Sequence, residues 1–209
     1  MEKYSNRYEA GRMLAQSLKK YSHRSDVMVL ALPRGGVPVA HEIAKALDVP
    51  LDIFIVRKLG VPGHEELAMG AIAGGGIAVF NEDLMQELTI TKTAIDRVIQ
   101  AEQQELKRRE IAYRGNKPFP TLKDKIIILV DDGIATGATM RAAIQALDQQ
   151  QPTSIVVAVP VAEKRIAEEL EKRVGEVVCP LKPDQLYAVG QWYDDFSQTT
   201  DKEVRELLA

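Results

Sequence analysis

Five short apolar runs, set between amphipathic helical patterns, constrain this chain more than any other feature. They are VMVLAL (27–32), LDIFIVRKL (51–59), IIILV (126–130), SIVVAVPV (154–161) and EVVCPL (176–181). Each is too short for a helix and rich enough in Val, Ile and Leu to be a buried strand. Between them lie helical patterns. Ala40, Ile43, Ala44 and Leu47 share one face, and so do Met140, Ala143, Ile144 and Leu147. Residues 7–21 read as a first helix through Met13, Leu14 and Leu18, and 163–173 as a charged one. Strand alternating with helix predicts an α/β fold, a mostly parallel sheet with helices on both faces. Ligands of such folds sit outside the carboxyl ends of the strands.

The remaining segments break this rhythm. Residues 60–66, GVPGHEE, read as a Gly/Pro loop, and LAMGAIA followed by GIAVF as a hairpin or two short strands. Residues 82–114 read as mostly helical and strongly charged, with a narrow stripe of Ile95, Val98, Ile99, Leu106 and Tyr113 and a Glu105–Arg109 pair at i, i+4. A short closing helix starts at Asp201, read as its N-cap.

With 209 residues, 45% hydrophobic and 27% charged, the chain suits one globular domain, 1–209. A net charge of -3 supplies no global pull toward nucleic acid or an anionic membrane. The single cysteine, Cys179, excludes an intrachain disulfide and reads as a small buried hydrophobe. No apolar run approaches the roughly 20 residues of a membrane span, and the charged start MEKYSNRYEAGR lacks the apolar stretch of a signal peptide. The expected location is cytoplasmic.

The chemistry concentrates in IIILVDDGIATGAT, residues 126–139. A buried strand has no local reason to end in two adjacent acids. The Gly-, Ala- and Thr-rich turn after Asp131 and Asp132 offers amides, hydroxyls and a helix N-terminus to a phosphate. Acids for hydroxyls or a metal, beside amides for a phosphate, point to a phosphorylated sugar. No Lys follows Gly137, so a Walker A loop is absent, and no G-x-G-x-x-G follows a strand. PRGG (33–36) is a second specialised strand-to-helix turn; alone it could be a plain turn. If strands 27–32 and 126–130 are neighbours, the two loops face each other across one crevice.

This segment resembles the phosphoribosyl-diphosphate (PRPP) motif of type I phosphoribosyltransferases, continuously from Ile127 to Thr139. The resemblance implies a Rossmann-like sheet with a small hood and a flexible β-loop. It implies that Asp131 and Asp132 hold the ribose hydroxyls, and that Ala135, Thr136, Gly137, Ala138 and Thr139 cradle the 5′-phosphate. In LPRGG, Arg34, Gly35 and Gly36 would bind the pyrophosphate, in a loop where the family often has a cis peptide. Asp131, Asp132 and Arg34 are thereby the catalytic candidates. Mg²⁺ is the implied cofactor, held through PRPP with Asp131 and Asp132 as the available protein ligands. The implied partners are PRPP, a small nitrogen acceptor and a second copy of the chain.

The family's mobile loop falls at 57–80, where Arg57 and Lys58 could reach the pyrophosphate and Gly60 and Gly63 could hinge; His64, Glu65 and Glu66 sit at its tip. The C-terminal segment 181–209 is the expected hood. Tyr187, Trp192 and Tyr193 are its base-site candidates, with Phe196 beside them; a packed cover or a subunit contact explains those aromatics equally well. Asp194 and Asp195 would meet an amine-bearing acceptor or face water. Ala135 stands where hypoxanthine-guanine enzymes carry Asp, which disfavours a 6-oxopurine. The expected activity is phosphoribosyl transfer from PRPP to a nucleobase. The alternatives are a regulator that binds PRPP without turnover, and an interaction role for the charged helix 91–114, with Ile95 and Leu106 as its dimer residues.

Overall fold

The computed structural model describes residues 3–209. In chain order the elements are α1 (Arg7–Ser17), β1 (Val27–Ala31), α2 (Gly36–Leu47), β2 (Leu51–Ile53), β3 (Val56–Val61), β4 (His64–Ala73), β5 (Ile77–Phe80), α3 (Glu82–Glu87), α4 (Lys92–Arg114), β6 (Ile126–Val130), α5 (Ala138–Asp148), β7 (Ser154–Ala158), α6 (Lys164–Glu171), β8 (Glu176–Val178) and α7 (Asp201–Leu208). Single turns of 3₁₀ helix lie at Lys19–Tyr21 and Val189–Trp192. Among the described residues no helix is long and apolar enough to cross a membrane.

Five strands form one parallel sheet in the order β2-β1-β6-β7-β8. Its three central strands, β1, β6 and β7, are buried on both faces, and their side chains divide with period two. Val29, Ile128 and Val156 enter the core beneath α1 and α2. Leu30, Ile127 and Val157 enter the core beneath α5 and α6. Each such side chain contributes about 1.5–3 kcal/mol by leaving water, so burial on two faces fixes strands only five residues long. The parallel α/β architecture read from the apolar runs is the one observed, and β1 and β6 are indeed neighbours, Ala31 opposite Val130.

Run 51–59 is not one strand. β2 ends at Ile53, the Phe54 N–H closes onto Ala31 O at 2.9 Å, and the chain then enters a separate three-stranded antiparallel sheet, β3-β4-β5. The run has no mark for the point where it changes sheets, because the residues at the crossing, Ile53, Phe54 and Ile55, are all apolar and buried. Residues 60–66 are likewise mostly strand rather than loop, with register shifts on either side of Gly60 and a turn at Pro62–Gly63. The exposed tip, His64–Leu67, lacks the alternation that would have betrayed it. The β4–β5 hairpin, turning at Gly74–Gly76, agrees with the expectation.

Other boundaries move by less. Strands 154–161 and 176–181 end at Ala158 and Val178, and the helix expected from Met140 starts at Ala138. The cap of α7 is Thr200, whose hydroxyl accepts from the Glu203 N–H at 3.1 Å, so Asp201 is the first helical residue instead of the cap.

Helix α4 packs on β3 and α7 and buries only Leu106 and Arg114 of its length. Arg114 fixes its end: the guanidinium donates to both Asp52 oxygens at 2.7 and 3.0 Å and to Pro118 O at 2.7 Å. That anchor on β2 holds α4 across the carboxyl end of the parallel sheet.

Candidate functional site

β6 ends at Val130, and the two acids follow at once. The Asp132 N–H donates to Asp131 Oδ1 at 2.8 Å, which turns the chain back on itself. Asp132 is tied from two sides. Arg7 of α1 donates from Nε to Asp132 Oδ2 at 2.8 Å, and the Tyr193 hydroxyl donates to Asp132 O at 2.6 Å. Arg7 is itself held, donating to Ser197 O at 2.7 Å with its guanidinium 3.9 Å from the centre of the Phe196 ring. Among the described residues no ion pair reaches Asp131. Burial and the neighbouring Asp132 charge push its pKa well above the ordinary carboxylate range. Burial also raises Asp132, against the opposing pull of Arg7. The two acids therefore differ: one is clamped to a cation, and the other is a disfavoured charge open to a donor.

The turn beyond them is an open cradle. Gly137 has φ +79°, a left-handed conformation in which a side chain would be strained, and it begins α5. The amides of Ala135, Thr136, Gly137 and Thr139 have no backbone acceptor among the described residues. Thr136, Ala138 and Thr139 are exposed. Free amides at a helix start, with two hydroxyls beside them, make a phosphate-sized anion site.

The PRGG loop leans directly on the acids. Its Pro33–Arg34 peptide is cis. A Cβ on Gly35 would stand 2.1 Å from Asp132 Oδ2, and one on Gly36 2.7 Å from Val130 O and 3.0 Å from Asp131 Cα. Gly35 is needed for this close approach and not for its backbone angle, which is ordinary at φ -60°. A cavity of about 330 Å³ opens beside the two loops. Arg34 and Thr139 border it from the loops, Phe54 and Val56 from the floor, and Arg108, Arg109, Tyr113 and Asp201 from α4 and α7.

Residues 2–73 and 63–192 match the phosphoribosyl transferase domain family. The chain belongs to that family. It is 44% identical over its whole length to Rv0571c of Mycobacterium tuberculosis, provisionally named a phosphoribosyl transferase; that match covers 47% of the relative. The chain thus spans about half the length of the curated relatives it matches first. It is 30% identical over 161 residues to the bifunctional protein PyrR of a Thermoanaerobacter species, covering 75% of this chain and 77% of that one. The crystal structure of TT1426 from Thermus thermophilus has the same fold, with a TM-score of 0.86 at 38% identity, covering 100% of this chain and 98% of that one.

The other residues singled out in the sequence are placed more unevenly. Arg57 pairs with Glu102 of α4, and Lys58 Nζ lies 3.4 Å from Glu66 O; neither borders the cavity with Arg34. Tyr193 is buried against Tyr4 and Phe196, with its hydroxyl spent on Asp132. It supports the acid pair and presents no face for stacking. Trp192 packs partly on the same cluster. Tyr187 is 80% exposed. The segment that carries these aromatics passes the acid turn closely, since a Cβ on Gly133 would meet Val189 at 2.5 Å.

Arg7, Arg108 and Tyr113 escaped the sequence reading. Arg7 lies 125 positions from Asp132 and looks like one more surface cation of a first helix. The α4 residues had a local signal, the adjacent Arg108–Arg109 with Tyr113 one turn on, but Tyr113 also completes the apolar stripe of a helix that reads as a partner surface.

Proposed function

We propose that this crevice binds PRPP and transfers its phosphoribosyl group to a nitrogen acceptor, a nucleobase other than a 6-oxopurine, with release of diphosphate. The observation that carries this reading is the convergence of three unlike groups at one sheet edge. Paired acids, an open amide cradle and a glycine loop in van der Waals contact with those acids suit a ribose, a 5′-phosphate and a diphosphate in that order.

In this reading Asp131 and Asp132 accept hydrogen bonds from the ribose hydroxyls. The amides from Ala135 to Thr139 and the hydroxyls of Thr136 and Thr139 hold the 5′-phosphate. Arg34 and the Gly35 and Gly36 amides stabilise charge building on the departing diphosphate. The C1′–O bond breaks with its electron pair going to the diphosphate. The acceptor nitrogen then forms the C1′–N bond and gives up its proton. The chain's contribution is position and charge, with the cavity walls limiting water. Tyr187, the exposed aromatic of the C-terminal segment, is the one whose ring is free to stack on a flat base.

Magnesium fits this donor set only in part. Among the described residues no cluster of three or more His, Cys, Asp or Glu could hold a metal. Mg²⁺ is commonly held by one or two carboxylates plus substrate phosphates, and Asp131, the acid without a cation, is the one to offer. Bound there with PRPP, the metal would offset negative charge between ribose and diphosphate.

Calorimetric titration with PRPP and Mg²⁺ tests the reading. Charged hydrogen bonds are worth about 1.5–3 kcal/mol each, so an Asp131→Asn, Asp132→Asn double variant should bind at least about 100-fold more weakly. Undiminished binding in that variant, or none in the wild type, sinks the reading. Diphosphate release across a panel of nucleobases then separates an enzyme from a protein that only binds PRPP.

A further inference from the structure

The far wall of the cavity has no role in the reading above, and it is strongly charged. Arg108 and Arg109 line it from α4, and Arg34 lines it from the PRGG loop. Glu105, one turn back, holds both: Arg108 Nε and Nη2 reach its two oxygens at 2.7 and 2.8 Å, and Arg109 Nε reaches Oε1 at 2.8 Å. The Glu105 pKa is held down to about 2 by these bonds, Arg108 first. Glu105 itself does not line the cavity. Asp201, in the first turn of α7, receives two donors on one oxygen. The Tyr113 hydroxyl donates to Asp201 Oδ1 at 2.8 Å, and Arg34 Nη1 lies 3.5 Å from the same atom. Three guanidinium groups and a phenol thus converge on a space where, among the described residues, the only carboxylate in the lining is Asp201.

We propose that Arg108 and Arg109 form the second wall of the diphosphate site, and that Asp201 is a resident carboxylate which the diphosphate displaces from Arg34 and Tyr113. This rests on the PRPP reading of the neighbouring loops. The geometry favours an anion with several oxygens over a single carboxylate. Three guanidinium groups line about 330 Å³, and of these Asp201 meets Arg34 while Arg108 and Arg109 are held by Glu105 outside the lining. Every pair now made is exposed: Asp201 is 56% and Arg108 67% accessible at the side chain. Exposed pairs are weak, so giving them up costs less than about tenfold in affinity. A diphosphate offers six outer oxygens to guanidinium forks suited to phosphate. The α4 wall is held from its far end by the buried Arg114–Asp52 pair, so these arginines are presented without a mobile loop having to close. The C-terminal helix becomes a gate that the leaving group opens on arrival and that closes behind it on departure.

Inorganic diphosphate with Mg²⁺, titrated calorimetrically into the full chain, is the test. An Arg108→Gln, Arg109→Gln double variant should bind it about tenfold more weakly, and an Asp201→Asn variant about three- to tenfold more tightly. The arginine and Asp201 positions are exposed, and a matching thermal midpoint confirms that their variants are folded. Wild-type affinity in the double-arginine variant overturns the wall, and unchanged or weaker affinity in Asp201→Asn overturns the gate. If the wild type binds PRPP but no diphosphate, this inference fails and the PRPP reading stands. If it binds neither, both fail.

Discussion

The two sides of the crevice are built on different principles. The sugar side is made by backbone: a strand end, a turn of free amides and a glycine loop pressed against two acids, with Arg7 and Tyr193 bolting Asp132 from behind. The α4 side is made by long side chains on a helix, paired to exposed partners. A backbone site is preorganised and tolerates little change. A side-chain site is adjustable and tolerates much. The contrast predicts steep losses from tiny substitutions on the first side and shallow ones from large substitutions on the second.

Gly35→Ala should show the largest effect. One methyl placed 2.1 Å from Asp132 Oδ2 cannot be accommodated while Arg7 holds that oxygen. Either the loop or the ion pair must give way, at a cost of about 1–3 kcal/mol typical of overpacking. PRPP affinity is expected to fall at least about tenfold with it. A Gly35→Ala protein that melts and binds like the wild type would show that the loops are not in fixed contact.

This difference also decides what could be read from the chain alone. The acids and the amide cradle we assign to the sugar were legible because they are contiguous: Ile126 to Thr139 are strand, acids, turn and helix start in one stretch, and apolar runs alternating with helical periods around them give the parallel sheet. The α4 side joins residues 34, 108, 113 and 201, four positions whose meeting depends on how α4 crosses the sheet. No period encodes that crossing; the buried Arg114–Asp52 pair sets it, and in sequence those are two ordinary charges 62 positions apart. The split of run 51–59 escaped for a related reason, because the residues flanking Phe54 and Ile55 are equally apolar in either sheet. Tyr193 misled in the opposite direction: its aromatic ring is as good a packing element as a stacking one, and only its 3% exposure decides.

The paired acids sharpen the comparison within the sugar side itself, because their single variants should move stability in opposite directions. Asp132→Asn leaves Arg7 without its counter-charge in a nearly buried place. A loss of about 1–3 kcal/mol is expected, less than for a fully buried pair because Ser197 O and Phe196 still hold the guanidinium. Asp131→Asn removes a charge that the fold disfavours and keeps an oxygen for the Asp132 N–H. Its raised pKa means that Asp131 favours the fold when protonated, below its unfolded value near 4. That advantage is lost as pH rises through the raised folded value. The Asn variant should therefore melt higher than the wild type at neutral pH, and the gap should close in acid. Thermal midpoints of both variants between pH 4 and 8 check this. A gap for Asp131→Asn that widens in acid would reverse the sign assigned to Asp131.

The smallest effect belongs to Tyr187, and it tests whether the hood is a third kind of region. At 80% exposure its ring packs on almost nothing, and its hydroxyl reaches only Gln185, at 2.7 Å. Tyr187→Ala should change stability by no more than about 0.5 kcal/mol, as surface substitutions do. PRPP affinity should be unchanged, since the sugar side does not include the ring. The KM for the acceptor should rise about five- to tenfold if the ring stacks on a base, aromatic stacking on bases being worth about 1–3 kcal/mol at full overlap. Tyr193→Phe supplies the contrast: it keeps the packing and removes the 2.6 Å bond to Asp132 O, so its effect should appear in PRPP binding and leave the acceptor KM alone. If Tyr187→Ala instead weakens PRPP and spares the acceptor, the tail serves the sugar side through Tyr187 as well as Tyr193, and the base must be recognised elsewhere in the crevice.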